Sequence, residues 1–292
     1  MSNALTLKSQ TPRRLRPAHV SIVPGKLGGH YGAIPPNWFA GNPFITANFN
    51  ALMAQFPAGE RFLMQSARLF RDQLTDPQLR KDVAGFIGQE AHHANEHELI
   101  NQELAKIGVP TEVIERQVQW VLDSLCRILS DKDQMAVTAA LEHFTSMLGN
   151  FVLSNPQVIA DVDPSMRQLF IWHAIEESEH KAVAFDLYQA VDGSYPRLMF
   201  AYLWSTALLT SLTLYFQLQL MAKDRSLFKL GTTLKGLNWM FGFGKNTGYF
   251  RRMLPEYVDF FRRDFHPWEH DNSAQIVHWK KVLQASMQTS AS

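Results

Sequence analysis

The feature that most constrains this chain is the spacing Glu-x-x-His, which occurs at Glu90 and His93 and again at Glu177 and His180. Residues three apart on an α-helix lie one turn apart on the same side, so each pair can direct a carboxylate and an imidazole at one point. One carboxylate with one imidazole is a suitable ligand pair for a divalent transition metal. The repeated spacing therefore predicts a metal site between two helices.

Two further carboxylates occur where a helical bundle with two metal ions would need them. Glu60 precedes the first pair and Glu142 lies between the pairs, and both have apolar neighbours at helical spacing. A buried carboxylate without a partner is costly, and a metal ion removes that cost. Four carboxylates would also balance the charge of two divalent cations. The alternative is that these are exposed or salt-bridged residues of ordinary helices.

Two more histidines lie close to the paired motifs. His173 is four residues before Glu177 and faces the same side of the helix, which predicts a seventh metal ligand. His97 is four residues after His93. For His97 the prediction is a supporting contact to the ligands, with direct metal binding as the alternative.

Gln89 and Glu176 each precede a glutamate of the paired motifs. Metal-bound imidazoles usually donate their second N–H to an oxygen acceptor. We therefore expect Gln89 to orient His180 and Glu176 to orient His93 from the facing helix.

Helical signals dominate the chain after a segment rich in proline and glycine, and convincing strand alternation is absent from the sequence. Capping residues and glycine stops predict an all-α fold built as a bundle. The expected helices are 46–74 with a break at Pro57 and Gly59, 77–107, 111–130, 133–153 and 164–192. The expected organisation is an irregular arm over 1–42, a dimetal-binding bundle over 43–193 and a C-terminal helical region over 194–292.

Composition excludes several other classes of protein. The formal net charge of +1 gives no argument for a nucleic-acid partner. The single cysteine, Cys126, can form neither an internal disulfide nor a thiolate metal cage. The start of the chain has no apolar stretch typical of a signal peptide, which favours a cytoplasmic protein.

The order Glu, Glu-x-x-His, Glu, Glu-x-x-His resembles the ferritin-like di-iron carboxylate superfamily. The longer ending, His173-x-x-x-Glu177-x-x-His180, is similar to arylamine N-oxygenases, in which the extra histidine also binds iron. The stretch from Trp172 to Asp186, with Gln89-Glu-Ala-His-His93 and Phe265-His-Pro-Trp268, resembles a bacterial family labelled predicted metal-dependent hydrolase. This resemblance covers about 43–268 and implies a ferritin-like four-helix bundle with additional C-terminal helices.

Three functions fit these residues. The first is an oxygen-activating oxidoreductase with two iron ions (manganese or a mixed pair as alternatives), which would need dioxygen, an electron donor and a small apolar, aromatic or lipid-like substrate. The second is a dimetal hydrolase that uses a bridging water, with Glu176 or Glu179 as general base. The third is a non-catalytic metal-binding protein. In the first, the pocket would be lined by Phe62, Phe86, Phe144, Trp172 and Phe185.

Residues 198–222 carry no charge and are long enough to cross a bilayer. One interpretation is a fifth helix packed on the bundle. The other is a helix in or on the inner face of the membrane, with Arg251, Arg252, Arg262 and Arg263 at the lipid surface. The oligomeric state stays open, with a homodimer as one alternative.

Overall fold

The computed structural model describes residues 15–29, 31–245 and 247–290. These residues confirm the all-α prediction, since they form no strand and their only extended pairing is a single bridge between Phe39 and Val162. The helices are α1 Pro43–Met53, α2 Phe56–Arg71, α3 Pro77–Lys106, α4 Thr111–Ile128, α5 Asp131–Ser154, α6 Pro156–Asp161, α7 Pro164–His180, α8 Val183–Val191, α9 Tyr195–Lys223, α10 Leu230–Phe241, α11 Tyr249–Asp259 and α12 Ser273–Ser290.

The helix starts follow the capping chemistry in the sequence. Asn42, Asp76 and Asp163 each accept hydrogen bonds from backbone N–H groups of the following turn, and a proline follows each of them in the first turn. The predicted break near Pro57 occurs between α1 and α2, just before that proline. These local signals set where α3 begins, and both of its candidate ligands, Glu90 and His93, are buried.

The prediction of one helix over 164–192 is wrong, because α7 ends at His180 and α8 begins at Val183. The side chain of Lys181 is buried there and donates hydrogen bonds to the carbonyl of His270 and to Asn272 Oδ1. Its ammonium group also lies 4.1 Å from the ring centroid of Trp268. These contacts come from a distant part of the chain, so local periodicity could not reveal the break.

Four helices surround the interior where the paired motifs meet. Helix α2 packs on α3 and α5, and α7 packs on the same two helices, so each member of the ring touches two neighbours. This is the arrangement of a four-helix bundle. Helix α8 follows α7 and packs on α2, α3 and α5, so it continues the fourth position of the bundle, and α4, α9 and α12 pack around the outside.

Helix α9 contains the uncharged segment and packs on α1 and α5. Gln217, on its inner side, donates a hydrogen bond to the carbonyl of Phe44 in α1. Among the described residues α9 is the one helix long and apolar enough to cross a membrane, and a third of its most apolar window is buried in the protein. The packing matches a fifth helix on the bundle.

The N-terminal arm lies along α3 and fits against two glycines. A Cβ atom on Gly88 would come within 2.4 Å of Pro24 Cγ, and one on Gly85 within 2.8 Å of the Ile22 carbonyl oxygen. Farther along the arm, the backbone N–H groups of Gly28 and Gly29 donate to the buried carboxylate of Glu96. The described part of the arm is therefore an integral part of the fold.

Gly88→Ala should lower the free energy of unfolding by about 1–3 kcal/mol, because the new methyl group overlaps the ring of Pro24. Gly231→Ala in α10 is the matched control, since its Cβ would have no neighbour within 4 Å. That change should leave stability unchanged or raise it by up to about 1 kcal/mol. Urea unfolding curves of the two variants would measure the difference, and equal midpoints would contradict the packing described for the arm.

Candidate metal centre

The ring of four helices brings the seven predicted ligands to one place. Glu60 comes from α2, Glu90 and His93 from α3, Glu142 from α5, and His173, Glu177 and His180 from α7. All but His173 are buried, and His173 is partly exposed. The structure thus places the predicted ligands together, and metal binding by them stays a prediction.

The seven side chains divide into two groups suited to two ions. Atoms of Glu60, His93 and His173 that can bind a metal lie within 4.8 Å of one another, and the same holds for Glu90, Glu177 and His180. Glu142 adds to the second group, since its Oε2 lies 3.2 Å from His180 Nε2. The first group therefore has two imidazoles and the second has one.

Two carboxylates lie between the groups. Glu90 Oε1 is 3.2 Å from His93 Nδ1 and 3.3 Å from His180 Nε2. Glu177 directs Oε1 toward His173 Nε2 at 2.8 Å and Oε2 toward His180 Nε2 at 3.4 Å. Glu90 and Glu177 would therefore contribute to both groups, while Glu60 and Glu142 would each contribute to one.

The buried polar atoms at the centre lack hydrogen-bond partners in the described part of the chain. Both carboxylate oxygens of Glu60, Glu90 and Glu142 are unpaired, as is Oε2 of Glu177. Buried polar atoms are nearly always paired, and an unpaired buried charge is expensive. Oxygen and imidazole donors in this number fit two divalent transition metals, which would satisfy these atoms.

Hydrogen bonds outside the centre orient two of the histidines. His93 donates from Nε2 to Glu176 Oε2 at 3.1 Å, which leaves its Nδ1 facing the carboxylates. His180 donates from Nδ1 to Gln89 Oε1 at 3.1 Å, which leaves Nε2 facing them. Both inward nitrogens are unpaired. These contacts pair the residues as the sequence predicts and select the tautomers that metal binding needs.

A further pair of histidines lies at the edge of the first group. His173 Nδ1 and His97 Nε2 are 2.9 Å apart, and His97 Nε2 lies 3.6 Å from Glu60 Oε1. Without metal, His173 Nε2 donates to Glu177 Oε1 at 2.8 Å, so its Nδ1 accepts from Nε2–H of His97. His97 is therefore one contact farther from the centre than His173, and its supporting role stays a prediction.

Protons take the place of metal charge in the metal-free centre. Burial, and then the charge of Glu90, raise the pKa of Glu60 well above its ordinary value. Burial raises the pKa of Glu142 to about 8 against the opposing effect of His180. Burial lowers the pKa of His93 and that of His180, but the surrounding carboxylates outweigh it and both pKa values lie well above normal. Metal ions must displace these protons in order to bind.

Glu176 and Glu179 do not face the open side of the centre. Glu176 accepts the hydrogen bond from His93, and Glu179 accepts one from Gln89 and forms an ion pair with Lys280. The prediction that one of them is a general base therefore finds no support in the geometry. Both carboxylates instead hold the groups that orient the histidines.

An apolar cavity of about 90 Å³ opens beside the centre between α2, α4, α5 and α9. Glu60, Glu90, His173 and Glu177 form its inner end. The rest of its wall is almost entirely apolar and includes Leu63, Val118, Leu122, Leu125, Val137, Leu141, Trp204, Leu208, Leu209 and Leu212. This volume has space for roughly six groups the size of a water molecule.

The aromatic residues predicted to line the pocket do not line this cavity. Phe86 packs its edge against His180 and Trp172 packs against His93, so these rings support the ligands instead. Phe62, Phe144 and Phe185 are also absent from the cavity wall. The wall residues of α4 and α9 lie outside the metal motifs. In α4, the helical spacing of Val118, Leu122 and Leu125 is the one sequence signal that indicates an inward side.

A second cavity, of about 60 Å³, reaches the centre from the side of α1 and α11. It shares Phe56, Thr145, His173 and Glu177 with the first cavity. Phe56 packs its ring edge-on against His97 and His173. Phe56 and Thr145 carry no ligand signature in the sequence and are identified only by their position in the structure.

Glu142→Gln should stabilise the metal-free protein and weaken its response to metal. The amide removes a buried carboxylate whose pKa is raised to about 8, which should raise the melting temperature without metal by roughly 2–6 °C. The same change removes a predicted ligand, so added metal should raise the melting temperature less than it does in the wild type. Glu112→Gln on the exposed face of α4 is the control. A Glu142→Gln protein that matches this control in both measurements would contradict the assignment.

Metal affinity should rise with pH, and the part of this rise that comes from Glu142 should end near pH 8. Below the pKa of about 8 the Glu142 carboxyl holds a proton in the metal-free protein, and binding must release it. Each released proton makes the apparent affinity change roughly tenfold per pH unit, and the dependence disappears once the group is ionised. Titration calorimetry near neutral pH, in two buffers of different protonation enthalpy, counts the protons. A result of no proton released would contradict the account of the metal-free centre.

Comparisons with known proteins place the chain in a family. A family model described as "Predicted metal-dependent hydrolase" matches residues 29–271, well over half of the chain. The comparisons with curated proteins and with solved structures returned no match. The matched range includes all four helices that carry the predicted ligands. The chain therefore belongs to the predicted metal-dependent hydrolase family.

Proposed function

We propose that this protein is a dimetal-dependent hydrolase that acts on a small, largely apolar substrate bearing an ester, amide or similar hydrolysable bond. The observation that carries the proposal is the position of two candidate ligand groups at the inner end of an apolar cavity. The family description supports hydrolysis as the reaction.

Seven side chains would hold the ions, with Glu90 and Glu177 between the two groups as described above. When bound, two divalent ions would activate water and polarise the oxygen of the bond to be cleaved. Gln89 and Glu176 keep the imidazoles of His180 and His93 in fixed orientations. Such fixed supports are what a metal site needs in order to keep its geometry during turnover.

The apolar wall of the cavity would determine which substrates bind. Its aliphatic wall offers few hydrogen-bond partners, so it favours a hydrocarbon chain or ring over a polar group. Glu60 and His173 lie at the boundary between this wall and the ligand groups. A substrate whose apolar part fills the cavity would therefore place its polar, reacting group against the centre.

Oxygen activation by a di-iron form is the second candidate. The observation that favours it is the third imidazole, His173, in a set that also holds four carboxylates. This is the pattern that resembles di-iron oxygenases, and the function would additionally require an electron donor. Ferritin-like ancestry and iron as the metal are part of this candidate.

The two candidates are separated by one set of measurements on the purified chain. The metal-free protein is loaded with zinc, manganese or ferrous iron and offered p-nitrophenyl esters with acyl chains from acetate upward. We expect metal-dependent hydrolysis that favours acyl chains short enough for the cavity. A ferrous protein that gives a new visible absorption band with oxygen, and no ester turnover with any metal, would overturn hydrolysis in favour of oxidation. Binding of metal with neither activity would favour a non-catalytic role.

Leu208→Trp tests whether the cavity holds the acyl chain. The larger ring fills part of the wall, so turnover of the longest accepted ester should fall roughly tenfold or more while that of acetate changes little. Leu214→Trp is the matched control, because Leu214 lies on the exposed side of the same helix. Equal ester profiles for the two variants would show that the substrate binds elsewhere.

A further inference from the structure

The outward face of α10 is an apolar stripe. Leu230, Leu234, Leu237 and Phe241 follow one another at helical spacing, and all four are exposed, Leu230 to 72%. The opposite side of α10 is occupied by the protein, since Gly236 packs against Phe44 of α1 and Met240 is buried. An amphipathic helix normally turns its apolar side inward, whereas α10 is apolar on both sides.

Two phenylalanines flank this stripe. Phe228, in the short 3-10 helix before α10, is 78% exposed, and Phe243, directly after α10, is 87% exposed. We call Phe228, the four stripe residues and Phe243 the α10 patch. Aromatic side chains this exposed are unusual on a surface that faces only water.

Basic residues are concentrated in the part of the chain that contains the α10 patch. Between residues 223 and 252 the chain has the single acid Asp224 and the cations Lys223, Arg225, Lys229, Lys235, Lys245, Arg251 and Arg252. Helix α1, against which α10 packs, contains no charged residue. None of the seven cations is within ion-pair distance of a carboxylate in the described ranges. Lys223, Arg251 and Arg252 donate hydrogen bonds within the protein, and Arg251 also lies over the ring of Phe243. The cations that remain available to a partner are Arg225, Lys229, Lys235 and Lys245.

We propose that the α10 patch docks this protein onto an anionic lipid bilayer, with α10 lying flat at the interface. A helix of 12 residues is about 18 Å long, too short to span a bilayer and suited to lying along its surface. The exposed leucines and phenylalanines would enter the boundary between headgroups and acyl chains. The surrounding lysines and arginines would contact the anionic headgroups.

The sequence alone suggested that residues 198–222, which lie in α9, contact the membrane, whereas the proposal assigns this contact to α10. Helix α9 packs along the bundle, and two of the cations suggested earlier for the lipid surface are engaged within the protein. Arg262 forms ion pairs with Asp264 and Glu269, and the guanidinium of Arg263 lies over the ring of Tyr195. The proposal places the contact with lipid at the α10 patch because cations accompany its exposed apolar residues, whereas 198–222 has exposed Phe200 and Leu203 but no charge.

Charge complementarity favours an anionic lipid surface over a second copy of this chain as the partner of the α10 patch. Two α10 patches face to face would bring seven cations and one acid from each chain together, and such like-charge contacts oppose association. An anionic bilayer offers an apolar interior for the exposed side chains of the patch and negative charge for the nearby cations. The proposal does not depend on which reaction the metal centre performs.

Vesicle co-sedimentation of the full metal-loaded chain tests the proposal. The probes are phosphatidylcholine vesicles with and without phosphatidylglycerol. We expect binding to the anionic vesicles, at least about tenfold weaker binding to neutral ones, and weakening as salt is added. Absence of binding to the anionic vesicles, or equal binding to both kinds, would overturn the proposal.

A matched pair of double variants locates the contact. L230E/L234E places two acids on the patch and should reduce vesicle binding roughly tenfold or more. W120E/I128E makes the same charge change at exposed apolar positions of α4 and its end, and should bind as the wild type does. Unchanged metal content and circular dichroism show that both variants fold. Equal vesicle binding by the two variants, or a wild-type dimer in light scattering that L230E/L234E dissociates, would overturn the proposal.

Discussion

The structure depends on the cost of placing four carboxylates in the interior of a helical bundle. Glu60, Glu90, Glu142 and Glu177 are all buried, and most of their oxygens lack a hydrogen-bond partner in the described part of the chain. Without metal the centre holds protons on groups whose pKa values are raised. A fold with such an interior is stable only because the rest of the bundle, with its extensive apolar core, offsets the cost.

Because buried carboxylates are costly without partners, the imidazoles that face them must be held in fixed orientations, and hydrogen bonds around the centre do this. Glu176 and Gln89 fix the imidazoles of His93 and His180, and the contact of Gln89 with Glu179 continues this network to Lys280. All of these supports lie on the side of α3 and α7. The wall of the larger apolar cavity comes instead mainly from α2, α4, α5 and α9.

Much of this could be predicted from the sequence, because helix caps and the Glu-x-x-His spacing are local. The capping residues Asp76 and Asp163 start α3 and α7 as expected, and these helices bring the two paired motifs to one place. The break after His180 could not be predicted, since it depends on contacts of Lys181 with residues about 90 positions away. The cavity was misassigned for the same reason: its wall is made by packing between helices, and aromatic residues near a motif need not face it.

Anomalous diffraction from crystals of the metal-loaded protein tests whether these side chains hold two ions. We expect two anomalous peaks per chain, one beside Glu60, His93 and His173 and the other beside Glu142 and His180, with Glu90 and Glu177 between them. Absence of any peak among these seven side chains, or a single peak at full metal loading, would contradict a dimetal centre.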